Sequence, residues 1–232
     1  MTGSISKLPQ ASLDRALVYG WFARLFIREP DAETLKAYSS PTWKPLLDDF
    51  ETKPSLAPTV EELRRCLDKE PKQVVLDLAV VFGRLFYGVD GPESVPPYES
   101  AHLSDKGLLF QKPFEELNEI TKQLDLSVSQ TFKEPADHLS VELAIMSELA
   151  ERAEHARQVS EWKEFEEFLK KQASFLDQHL LAWLPKFQSG CQEREPESLY
   201  AKAANSLLLF VREDRKWLSN CHEKMKKTNK IK

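Results

Sequence analysis

VVLDLAVVFGRLFYGVDGPESVPPYES, residues 74–100, carries the decisive reading of this chain. Its first half, Val74 to Tyr87, puts apolar residues on nearly every side of a helix, with Pro71 suited to the first turn. A helix apolar all round is read as a central one. From Phe82 to Ser100 the character changes, because this segment holds three of the chain's seven glycines and three prolines. Gly88 ends the helix, and a loop follows that keeps Phe86, Tyr87 and Tyr98 beside prolines. Loops of that chemistry position functional groups.

The same helical rhythm extends outward in both directions. Towards the N-terminus, Ser12 is suited to cap a helix in which Leu13, Leu17, Trp21 and Leu25 recur every four residues. Pro30 ends that helix, and Asp31 opens a short one through Leu35 and Tyr38. A further short helix lies around Trp43 to Phe50, between prolines. Thr59 and Glu62 have the spacing of a capping box for a helix reaching about Lys69.

Towards the C-terminus, Asp105, Lys106 and Gly107 make a turn, and Pro113 starts a helix carrying Leu117, Ile120 and Leu124. Leu139 to Ala153 form another. A long segment from Ser160 carries Trp162, Phe165, Leu169, Leu176, Leu180, Trp183 and Phe187, with Pro185 expected to kink or end it. Pro196 opens a last helix through Leu199, Leu207 and Trp217. The prediction is an all-α, single-domain bundle of about nine or ten helices over residues 12–222, between a flexible N-terminus (1–11) and a basic flexible tail (223–232).

Composition narrows the function. A net charge of −5, with the one basic cluster in the tail (Lys224, Lys226, Lys227, Lys230, Lys232), disfavours a nucleic-acid partner. Cys66, Cys191 and Cys221 are odd in number and lack C-x-x-C spacing, so neither a disulfide framework nor a zinc site is expected. No apolar run serves as a signal-peptide core or a membrane span. The expected location is the cytoplasm, with no stable membrane insertion.

The chain has neither a P-loop nor a G-x-G-x-x-G, and no H-E-x-x-H. One polar constellation remains: Glu134, Pro135, Ala136, Asp137 and His138, at the start of the Leu139 helix. An aspartate in a first helical turn caps free N–H groups without any further role. His138 and Glu142 lie four apart on one face and could pair, which leaves open a small helical hydrolase or metal protein built on Asp137, His138 and Glu142. Binding is the other reading. Between Glu134 and Glu154 six acidic residues (Glu134, Asp137, Glu142, Glu148, Glu151, Glu154) face a single basic one, Arg152. A helix presenting them beside the Tyr- and Pro-bearing loop would suit a peptide with apolar and basic residues.

Three ordered segments resemble a known family. Phe82-Gly83-Arg84-Leu85-Phe86 followed by Gly88, then Val95-Pro96-Pro97-Tyr98-Glu99-Ser100, then Glu134-Pro135-Ala136-Asp137-His138-Leu139 are similar to signatures of the TorD/DmsD/NarJ group of redox-enzyme maturation chaperones. The resemblance covers roughly residues 12–218. It implies a non-enzymatic, all-α cytoplasmic chaperone, with no cofactor or metal of its own, for a molybdopterin-dependent oxidoreductase of the DMSO or trimethylamine N-oxide reductase type. Such proteins bind the apoenzyme and its twin-arginine leader before cofactor insertion, proofreading and export, as monomers or dimers. The positions it implies for client and leader binding are Leu85, Phe86, Pro97, Tyr98, Ser100, Asp137 and His138. The chain departs from the pattern at Ser100-Ala101-His102, which lacks an aromatic at position 102, and at Leu109-Phe110-Gln111.

Overall fold

The computed structural model describes residues 11–88, 91–104, 107–126 and 134–229. The expected flexible N-terminus up to Gln10, the turn residues Asp105 and Lys106, and the last three residues of the expected tail lie outside them.

The described residues are helical, with no named strand. In chain order they form α1 (Ala11–Ile27), α2 (Ala32–Tyr38), α3 (Trp43–Glu51), α4 (Ala57–Leu67), α5 (Pro71–Phe86), α6 (Glu99–Leu103), α7 (Lys112–Gln123), α8 (Leu139–Gln158), α9 (Trp162–Phe175), α10 (Leu181–Arg194) and α11 (Leu199–Asn229). A π-turn, Leu176–Leu180, joins α9 and α10 into one continuous helical run. The eleven segments are thus ten separate helices among the described residues. That agrees with an all-α bundle.

Several local signals act as the sequence predicts. Asp31 caps α2 by accepting from the Thr34 N–H at 2.8 Å, and Pro71 occupies the first turn of α5. The Thr59–Glu62 capping box does not form. Helix α4 begins two residues earlier, at Ala57, so Thr59 is buried inside it and Glu62 pairs with Arg65 and Lys202. Pro185 neither ends nor breaks its helix. The π-turn directly ahead of α10 loosens the backbone where the proline ring would crowd the Leu181 carbonyl.

The centre of the bundle is α8, not α5. Packed against α1 on one side and α9 on the other, α8 buries residues on nearly every face, from Leu139 and Leu143 to Ala153 and Ala156. Helix α5 packs beside α2 and α4 and leaves Leu76 59% and Val80 45% exposed. Apolar side chains on every face of α5 did not make it central, because scattered aliphatic residues are common at surfaces. On α1 likewise, Leu17 is exposed while Tyr19, Trp21 and Phe22 are buried.

Helix α11 packs against α10, α4, α9 and α1. It continues as far as Asn229 with Met225 buried, so most of the stretch expected as a flexible tail extends the helix. Its contact with α1 includes a buried network. The Arg15 guanidinium forms an ion pair with Asp214 and donates to Gln172 Oε1 at 2.6 Å, and the Tyr19 hydroxyl donates to Asp214 Oδ2 at 2.6 Å. The two ends of the chain are fastened together there. All three cysteines are free and buried.

Candidate functional site

The loop after α5 is held from beneath. The Val95 N–H donates to the Leu85 carbonyl at 2.6 Å, and the Val95 methyls lie over Gly190 of α10. A Cβ at Gly190 would sit 2.9 Å from Val95 Cγ1, so only glycine permits that approach. Phe86 packs edge-on against Phe26 and Tyr200 and stacks on Phe187. Leu85 and Phe86 therefore support the loop from the core, where they are buried.

Above them the loop meets the start of α8. Tyr98 and His138 form an isolated antiparallel bridge, the Glu99 N–H donates to the Asp137 carbonyl at 3.0 Å, and the Leu139 N–H donates to the Pro97 carbonyl at 2.8 Å. Pro97, Tyr98, Ser100, Asp137 and His138 are thereby brought together. Each of two polar side chains then caps a helix. His138 Nδ1 accepts from the Ser140 N–H at 3.1 Å and caps α8. Asp137, expected in the same role, instead accepts from the Ser100 N–H at 3.1 Å and so serves α6, whose own N-cap residue, Tyr98, has no capping bond.

Because Nδ1 accepts, the proton of the neutral His138 ring sits on Nε2, and burial lowers the pKa of this group to about 3. His138 is neutral throughout the physiological range. It does not pair with Glu142, four residues on. Glu142 Oε2 instead accepts from Trp183 Nε1 at 3.2 Å, and Glu142 Oε1 has no hydrogen-bond partner among the described residues. Among the described residues no three His, Cys, Asp or Glu side chains could hold a metal ion.

Beneath the bridge lies a buried acidic cluster. Glu99, Asp137 and Glu142 are all essentially inaccessible, and Glu99 Oε2 lies 2.9 Å from Nδ1 of His179, a residue of the π-turn. Burial raises the Glu99 carboxyl, opposed by His179, and burial reinforced by Glu99 holds Glu142 well above the ordinary carboxylate range. His102, at the position where the family pattern has an aromatic, stacks on Trp183 with ring centroids 5.1 Å apart. Its Nε2 donates to the Pro96 carbonyl at 2.8 Å, so the imidazole takes the place of the missing ring.

The raised Glu142 pKa sets a pH dependence. A carboxyl whose folded pKa lies above its unfolded one stabilises the fold fully below the unfolded value, and that stability is lost as pH rises through the folded value. Glu142→Gln keeps an acceptor for Trp183 and cannot ionise. Its melting midpoint should match the wild type near about pH 4, below the unfolded glutamate value, and exceed it by about 3 °C near about pH 9, a shift worth roughly 1 kcal/mol. Melts that run parallel across this range would place the Glu142 ionisation elsewhere. His138 acts in the opposite sense, its contribution being lost as pH falls below its ordinary value, so the comparison is read on the alkaline side.

Of the residues expected to contact a client, Ser100, Asp137 and His138 are buried at 0%, 0% and 3% exposure. Tyr98 alone is half-buried, and its hydroxyl donates to Glu134. Around it the surface carries Tyr87, which is exposed and hydrogen-bonded to Glu29 at 3.2 Å, and a hollow of about 360 Å³ whose lining includes Phe110, Phe114, Glu134 and Val141. Phe110 is 60% exposed and adopts a φ of 56°, a conformation seldom taken by non-glycine residues. The six acidic residues from Glu134 to Glu154 do not form one face. Asp137, Glu142 and Glu154 are buried, because α8 is enclosed by its neighbours.

Glu99, His179 and Trp183 were not read from the sequence as site residues, and Glu134, read as part of the polar constellation, was not assigned a client contact. A glutamate directly after Pro97 and Tyr98, and a histidine on an otherwise apolar helical stripe, were the available signals for Glu99 and His179.

Comparison with known proteins agrees with the resemblance. The family described as "Nitrate reductase delta subunit" matches residues 53–189. Proteins named "Chaperone protein TorD" align along most of the chain. The one from Vibrio parahaemolyticus is 32% identical over 88% of this chain and 94% of its own length. That from Vibrio cholerae (strain ATCC 39541) is 34% identical over 87% and 90%, and that from Psychrobacter sp. is 33% identical over 92% and 95%. With the loop motif and the Asp137–His138 motif joined in one cradle, and with relatives matching over most of its length, this chain belongs to the nitrate reductase delta subunit family, the TorD-like redox-enzyme maturation chaperones.

Proposed function

We propose that the chain is a cytoplasmic chaperone that holds an apo molybdopterin oxidoreductase through its twin-arginine leader, before cofactor insertion, proofreading and export. The observation that carries this reading is the Tyr98–His138 bridge. It sets Tyr98 and Glu134 side by side at the edge of the Phe110 hollow. A carboxylate beside an aromatic ring and an apolar hollow is suited to an arginine followed by an apolar side chain. The accessible carboxylate is Glu134, whereas Asp137 acts from within by fixing α6. The chaperone names of the relatives support the general role.

Calorimetry with a twin-arginine leader peptide tests the site. Tyr98→Ala and Glu134→Gln should each weaken binding about tenfold, the loss expected for one charge-assisted or aromatic contact. Neither side chain is fully buried, so both variants should keep the wild-type circular dichroism spectrum. Unchanged affinity in both would remove this face as the leader site, and binding only to leader-deleted client would move the contact to the mature enzyme.

A further inference from the structure

We propose that a second cavity, between α7, α8 and α9, binds a small amphipathic anion, a molecule with a ring-sized apolar body and a single carboxylate head. The cavity measures about 290 Å³, near the lower limit for small-molecule sites. Its apolar wall is built from Leu124, Leu149, Phe168 and Phe175. That volume suits a phenyl ring and a short acid rather than a nucleotide.

The charge of the head follows from the polar groups. In a chain with 37 acidic and 32 basic residues, no carboxylate among the described residues lines this cavity, whereas Arg152 and Lys171 both do. Arg152 uses one N–H on Glu148 and another on the Leu124 carbonyl, which leaves three of its five donors unassigned. Lys171 makes no salt bridge among the described residues, and its ammonium lies 5.4 Å from the Phe168 ring centroid. A cation over an aromatic wall, with a guanidinium in the same lining, recognises a carboxylate attached to an apolar group.

Buried polarity gives a second, independent indication. His179 is 4% exposed and lines the same cavity. Its Nδ1 is engaged by Glu99, and Nε2 has no assigned partner among the described residues. In the tautomer whose Nδ1 accepts from a protonated Glu99, the Nε2–H is left to donate one oriented hydrogen bond to the head group. Neither Tyr98 nor Glu134 lines this cavity, and the inference does not depend on the client reading.

The test is calorimetric titration of the full chain with phenylacetate and, separately, its uncharged analogue phenylacetamide. Phenylacetate is expected to saturate one site in the millimolar range, with the amide about tenfold weaker. Lys171→Met should weaken the acid severalfold and leave the amide unchanged. Ser174→Trp, at the rim, should fill the cavity and abolish both. The proposal is overturned by the absence of saturable binding below about 10 mM, by equal affinity for acid and amide, or by acid binding that Lys171→Met leaves untouched. If Ser174→Trp unfolds by circular dichroism, the Lys171→Met comparison decides alone, since that side chain is exposed.

Discussion

Asp214→Ala is expected to cost about 3–5 kcal/mol in urea unfolding, enough to remove much of the stability of a single domain. Asp214 is 4% exposed and accepts from both the Arg15 guanidinium and the Tyr19 hydroxyl. Removing it leaves a guanidinium that is 5% exposed with only Gln172, among the described residues, as a hydrogen-bonding neighbour. The cost is that of a stranded charge rather than the net worth of the pair, and this can be separated experimentally. Arg15→Met combined with Asp214→Leu removes both charges, and should recover most of the loss. A double variant as unstable as Asp214→Ala would show that shape, not charge, governs this contact.

The second large effect is Trp183→Ala. Trp183 is fully buried, stacks on His102, packs edge-on against Phe187, and donates to Glu142 Oε2. Truncation should cost about 3–5 kcal/mol for the cavity alone. It also strands the Glu142 carboxyl, adding about 1–3 kcal/mol. Trp183→Phe refills most of the volume but cannot donate. Its remaining deficit therefore measures the hydrogen bond, and combining it with Glu142→Leu should erase that deficit. A Trp183→Phe variant of wild-type stability would show that the indole N–H contributes nothing to the fold.

These two residues illustrate what was legible in the chain. Trp183 belongs to an apolar helical stripe, so its burial was readable from spacing, whereas its partner in the acidic cluster was not. Arg15 and Asp214 are 199 positions apart, and no local pattern pairs them. Helix existence and type followed from periodicity, because a buried stripe must recur with the helical turn. The identity of the central helix did not, since α5 is apolar yet peripheral and α8 is acidic yet enclosed. The same limit affects the site. The motifs around Tyr98 and Asp137 were visible, and the resemblance joined them. Their division between a half-open edge and a buried scaffold required the packing of α6 and α8.

The spacing of Phe165, Leu169, Gln172, Leu176, Leu180, Trp183, Phe187 and Cys191 averages slightly more than the 3.6 residues of a plain α-helix. The π-turn at Leu176–Leu180 absorbs the surplus. It acts as a phase shifter, because one added residue rotates everything beyond it by about 100° relative to an uninterrupted helix. Without that offset the direction that carries Phe165 and Leu169 into the core would not also carry Trp183 and Phe187 there, and Gly190 would not lie under Val95. The loop's support thus depends on a one-residue dislocation more than two turns away along the helix. A single deletion between Leu176 and Leu180 would remove the surplus residue together with the π-turn, leaving α9 and α10 as one regular helix that still carries Trp183, Phe187 and Gly190 to the floor of the cradle.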